Sequence, residues 1–119
     1  MENQFRVIVA GGRDFFNYQL MESKLNKILS QKQNVVIVSG TAKGADQLGE
    51  RYAKAHGLMI SYFPALWNQH GQKAGFIRNE EMAKTADACV CFWDGESTGT
   101  KHMIDIAETM KIALRVVNY

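Results

Sequence analysis

Cysteine, proline, net charge and long apolar runs are all scarce in this chain, and each scarcity narrows the reading. There are two cysteines, Cys89 and Cys91, one proline, Pro64, and a formal charge of +2 across 119 residues. The cysteines sit two apart in "ADACVCFW", where strand alternation puts both on one face of a sheet. With no second pair elsewhere, they read as buried reduced thiols rather than half of a metal site. His56, His70 and His102 are scattered and lack ligand spacing, so no structural metal is expected. No apolar run approaches the roughly 20 residues of a membrane span, which excludes a membrane partner at this level. The start "MENQFRVIVAGG" lacks the basic segment and long apolar stretch of a signal peptide, so a cytoplasmic location is the expectation. A charge of +2 is too small to argue for nucleic acid by itself, although it leaves room for a local basic rim.

What is present is a strict alternation of apolar runs and helical spacing. The hydrophobic fraction of 46% with 22% charged residues belongs to a globular protein. The length suits one domain over residues 1–119. "FRVIVAGG" (5–12) reads as a buried strand, and residues 17–31 carry Met21, Leu25, Ile28 and Leu29 at helical spacing. "NVVIVSG" (34–40) is a second strand. The helix after it starts near Lys43, places Ala45, Leu48 and Tyr52 on one face, and ends at Gly57. "LMISYFP" (58–64) is a third strand, followed by an irregular loop through about Gly71. A helix over 74–85, a strand over 87–93, a helix over 100–110 and a strand over 112–118 complete the chain. Continuous apolar strands without hairpin signals imply an α/β, three-layer Rossmann-like fold with a five-stranded parallel sheet covered on both faces, in the order 3-2-1-4-5.

That order puts the topological switch between the first and fourth strands, where open parallel sheets bind ligands at the C-terminal strand ends. The glycines and polar residues gather there. After the first strand come Gly11, Gly12 and Arg13; after the second, "SGTAKGAD" with Ser39, Gly40, Thr41, Lys43, Gly44 and Asp46; after the third, Trp67, Arg78 and Asn79; after the fourth, "WDGESTGT" from Trp93 to Thr100. A strand that stops at Ser39 and Gly40 and restarts as a helix offers backbone N–H groups and a helix dipole to an anion. Ser39 and Thr41 add hydroxyls and Lys43 a charge. The spacing is neither a Walker loop nor GxGxxG, and a tight strand-to-helix turn is the competing explanation. Gly95, Ser97, Thr98, Gly99 and Thr100 repeat the offer at the next helix start. Arg13 and Arg78 can hold phosphate oxygens in a fork. Trp67 and Trp93 can stack on a base or belong to a core. Asp46 reads as a helix-start carboxylate or loop anchor.

"VIVAGGRDF", "SGTAKGAD", Trp67 with "GQKAGFIRN", and "WDGESTGT" together resemble the YspA-like branch of the SLOG superfamily, Rossmannoid domains related to Smf/DprA and to the LOG proteins. The resemblance runs over nearly the whole chain in the same order. It implies a nucleotide or nucleotide-derived ligand at this edge and a role in sensing, with nucleic acid as the less favoured partner and a homo-oligomer as an open alternative. No cofactor beyond such a ligand is implied. LOG phosphoribohydrolases carry a PGGxGTxxE segment whose Glu assists glycosidic cleavage. Aligning its Gly-Thr with Gly99 and Thr100 puts Met103 at the Glu. Methionine transfers no proton, so a reaction would need another carboxylate, Asp94 or Asp46. The family's Arg aligns with Arg78, which as a ligand-facing residue is expected to add little to the stability of the unliganded fold.

Overall fold

In the computed structural model, which describes residues 3–119, five parallel strands form one sheet in the order β3-β2-β1-β4-β5. The first two residues of the expected domain lie outside the described residues. The strands are β1 (Phe5–Gly11), β2 (Val35–Ser39), β3 (Met59–Tyr62), β4 (Ala88–Trp93) and β5 (Ala113–Asn118). Between them run α1 (Tyr18–Leu29), α2 (Ala45–Ala55), α3 (Trp67–His70), a 3-10 turn (Gly71–Lys73), α4 (Ala74–Thr85) and α5 (Thr98–Thr109).

Alternation along the strands sorts the core into two layers. Val7, Val9, Val35, Ile37, Val90 and Phe92 face Met21, Leu25, Tyr52 and Ala53 of α1 and α2. Ile8, Ala10, Val38, Cys89 and Cys91 face Met82, Met103, Ile104 and Ala107 of α4 and α5. The two thiols share a face as expected, with sulfurs 3.5 Å apart in a fully buried setting. Helices therefore cover both faces, because the chain steps outward from β1 to β3 on one side and returns past β1 to β4 on the other.

Three expectations are corrected. The stretch after β3 is not an irregular loop: Trp67–His70 forms a helical turn that the 3-10 turn joins to α4. The last helix begins at Thr98 because Ser97 is its N-cap, accepting from the Thr100 N–H at 3.4 Å. The second helix begins at Ala45, two residues later than expected, because Gly44 at φ 79° turns the chain into it. Burial is also uneven. The edge strands β3 and β5 are half exposed, whereas β2 in the interior is buried at every residue.

Candidate nucleotide site

The end of β1 is bound to both neighbouring loops. Gly12 N–H donates to Phe92 O at 3.0 Å, and Gly12 O accepts from Phe15 N–H at 3.2 Å and Ala45 N–H at 3.1 Å. A Cβ at Gly12 would strike the Tyr119 hydroxyl, and one at Gly44 would strike Gly12 O. These glycines let the β1 turn and the start of α2 pack backbone to backbone. Arg13 is thereby carried outward and stays exposed.

The 39–46 loop is closed by its own side chains. Ser39 is wholly buried; its hydroxyl donates to Glu50 at 2.6 Å and accepts from Thr41 N–H at 3.0 Å. Asp46 reaches back from α2 to accept from Ala42 N–H at 3.2 Å. The N–H groups of Thr41, Ala42 and Ala45 are thus spent inside the protein. The open anion cradle expected of this segment is in large part a self-satisfied turn, with Ser39 beneath it as a strut. Thr41 holds φ at 67°, a left-handed conformation that costs a β-branched residue and persists because these bonds fix it.

Arg78 crosses to this loop from α4. Its Nη1 donates to Gly40 O and its Nε donates to Asn79 Oδ1 at 3.0 Å. A Cβ on Gly40 would lie 2.6 Å from that Nη1 and 2.8 Å from Asp46 Oδ2, so glycine leaves the room that the guanidinium and the carboxylate both occupy beside the backbone. Burial pushes the Asp46 carboxyl up to about 6, against the opposing pull of Ala42 N–H and the Arg78 and Arg13 charges. Burial likewise lowers Arg78, while Asp46 opposes that and Arg13 adds to it. Arg13, Arg78 and Asp46 therefore form one electrostatic group.

Asn79 ties this group to α5. Its oxygen accepts from Arg78, so its amide nitrogen donates, to Gly99 O at 3.5 Å and to His102 Nδ1 at 3.2 Å. The His102 ring rests against Phe76, centroids 4.3 Å apart, and burial holds its pKa below the ordinary histidine value.

The β4–α5 loop is held by Asp94. One oxygen accepts from Glu96 N–H at 2.9 Å and Ser97 N–H at 2.8 Å, and these bonds hold the carboxyl below its ordinary pKa. Trp93 Nε1 donates to Ser97 O at 3.1 Å, which staples the loop, and its ring packs against the core beneath α4 and α5. Thr100 is buried against the Ser97 hydroxyl. The N–H groups of Thr98 and Gly99, in the first turn of α5, have no partner within the helix.

These elements enclose a cavity of about 490 Å³ at the switch between β1 and β4. Of the residues singled out by sequence, it gathers Gly11, Gly12, Arg13, Trp67, Arg78 and Asn79, with Ser97 to Thr100 and the carboxylates Asp46 and Asp94. Met103 also lines it, almost wholly buried. Gly40, Thr41 and Lys43 line a neighbouring cavity of about 430 Å³. Ser39, Gly44 and Gly95 line neither. Sequence reasoning missed Asp14, Gln72, Gly75 and Phe76. Gly75, Phe76 and Asn79 stand at helical spacing in the helix expected over 74–85, a signal open to sequence reasoning, and Gln72 lies in the 3-10 turn before it. Among the described residues no group of three or more His, Cys, Asp or Glu side chains could hold a metal ion. No helix among them is long and apolar enough to cross a membrane.

Residues 5–70, with the Gly11–Arg13 turn and the whole 39–46 loop, match the family model described as the YspA, cpYpsA-related SLOG family. The chain belongs to this SLOG family. A relative extends the likeness past the matched segment to the Arg78 helix and the β4–α5 loop: the SLOG domain is 32% identical over 121 residues to the gene 61 protein of Mycobacterium phage D29, covering 96% of this chain and 95% of the phage protein. Two solved structures share its fold. DNA processing protein A of Helicobacter pylori, studied for its single-stranded DNA binding mode, superposes with a TM-score of 0.69 at 18% identity, covering 94% of this chain. DprA of Streptococcus pneumoniae also gives 0.69, at 16% identity over 95% of the chain. The SLOG domain spans 64% and 50% of those two chains.

Proposed function

We propose that this SLOG domain binds a nucleotide or nucleotide-derived ligand in the β1–β4 cavity and serves as a sensor of it. One observation carries the reading: a single cavity of nucleotide scale joins two guanidinium groups, Arg13 and Arg78, to two half-exposed aromatic rings, Trp67 and Phe76. The cations suit phosphate and the rings suit a base. The first-turn N–H groups of α5 add donors from the opposite wall. Binding without turnover fits the engaged carboxylates, since Asp94 holds its own loop and Asp46 is locked to Ala42.

A thermal-shift screen of mono-, di-, cyclic and dinucleotides tests this. A ligand at a hundred times its dissociation constant adds about 2.7 kcal/mol of stability. No response from any nucleotide would contradict the proposal.

A second reading, binding of single-stranded nucleic acid, is favoured by the fold shared with the Helicobacter pylori protein. Exposed Trp67 and Phe76 beside Arg13 and Lys43 supply the stacking and cationic groups it needs. With a charge of +2, binding is expected to be weak and to fall steeply with salt. Sub-micromolar affinity for a thymidine oligonucleotide at physiological salt would reverse the order of the two readings.

A further inference from the structure

The cavity between the β1 turn and the α4 and α5 helices does not end at the arginines. Beyond them lies the second cavity of about 430 Å³, bounded by Gly40, Thr41, Lys43, Pro64 and Ala65. Arg13, Ala42, Trp67 and Arg78 line both, so both arginines stand in the wall common to the two spaces. Each lobe is of a size found for small-ligand sites. Each has apolar surface of its own: Phe76 in the first, Pro64 and Ala65 in the second, with the Trp67 ring reaching both.

We propose that the ligand is itself two-lobed: two nucleosides joined through a bridging phosphate, with the bridge on Arg13 and Arg78 and one nucleoside in each cavity. This rests on the nucleotide reading and deepens it. A mononucleotide carries its charge at one end, so seating its phosphate on the arginines fills one lobe and leaves the other to water. A bridged pair carries its charge in the middle, where this site carries its cations. Arg78 is oriented for that position. Of its five N–H groups, Nε is committed to Asn79 and one on Nη1 to Gly40 O, which leaves three for phosphate oxygens. Lys43, exposed at the outer lobe, adds a further cation there. The shared chemistry has two sources, a free dinucleotide with a pyrophosphate bridge or one phosphodiester step of a single-stranded nucleic acid.

Calorimetric titration of the full chain with adenosine monophosphate, diadenosine diphosphate and the phosphodiester dinucleotide ApA separates the cases. At least one bridged ligand should bind about tenfold or more tighter than the mononucleotide, the scale of one further buried aromatic or charge-assisted contact. The tighter of the two identifies the bridge. Ala65→Trp, which fills the outer lobe at a half-buried loop position, should erase that advantage while the mononucleotide still binds, and Lys43→Ala should narrow it. Equal or weaker binding of both bridged ligands, or an Ala65→Trp variant that keeps the full advantage, would overturn the two-lobed site and leave the nucleotide reading standing. No heat from any of the three, the mononucleotide included, would overturn both.

Discussion

Replacing Arg78 with alanine should unfold more than a binding site. The side chain makes a hydrogen bond to Gly40 O and another to Asn79 Oδ1, and its charge favours the ionised form of the nearby buried Asp46. Hydrogen bonds from a charged group are worth about 1.5 to 3 kcal/mol each and do not add in full, so the two together contribute about 2 kcal/mol. The ionic part has a ceiling. Asp46 titrates at about 6, so at pH 7 it escapes an unpaired buried charge by taking up a proton at a cost of about 1.4 kcal/mol. At pH 5 it is already mostly protonated and this cost vanishes. Arg78→Ala should therefore lose about 3 kcal/mol at pH 7 and about 2 kcal/mol at pH 5, read by urea denaturation without ligand. The corresponding fall in Tm at pH 7 is about 12 °C for a domain of this size. Arg78→Lys should not restore the loss, because one ammonium cannot reach both oxygens along the guanidinium's two directions. An unchanged Tm, or equal losses at the two pH values, would refute the coupling of Arg78 to Asp46.

Asp46→Asn should flatten the pH dependence of stability. The folded chain keeps a proton on Asp46 between about 4 and about 6 that the unfolded chain has released, so this group lowers stability as pH rises through that window, by about 3 kcal/mol in all. Denaturation midpoints from pH 4 to 7 in both proteins would show the difference. Gly44→Ala should cost about 2 kcal/mol or more, since φ is 79° and the new methyl meets Gly12 O, whereas Gly57→Ala, at φ 67° with open space around it, should cost about 1 kcal/mol. Adenosine monophosphate should not be hydrolysed above background in a chromatographic assay, because Met103 supplies no proton transfer, a contribution typically worth about 10² to 10⁴ in rate. Adenine release proportional to protein and abolished by Asp46→Asn would identify a hydrolase instead.

Strand order and the ligand edge were legible because they depend on local periodicity and on crossover rules. Val7 to Ala10 and Val35 to Val38 announce buried strands by themselves, and the switch point follows from their alternation with helices. What was not legible lies in contacts between segments distant in sequence. Nothing in "SGTAKGAD" says that Asp46 will cap Ala42 or that Arg78 will cover Gly40, so the loop reads as an open phosphate cradle when its N–H groups are largely engaged. The same cause turned Arg78 from a ligand-facing residue into one that also holds the fold. Trp93 reads as a stacking ring or a core residue until its N–H is found on Ser97 O and its ring against the α4–α5 core. Trp67–His70 escaped because a single turn is too short to display a period.

The proposed phosphate site rests on Arg13 and Arg78, and calorimetry on wild type and Arg13→Ala tests it most directly. Arg13 is exposed and its side chain makes no hydrogen bond or ion pair among the described residues, so its removal should leave the Tm unchanged. Saturable binding of a nucleotide by the wild type, weakened about tenfold or more in Arg13→Ala, is the predicted result. Equal affinity in the two proteins, or no heat from any nucleotide in the wild type, would contradict it.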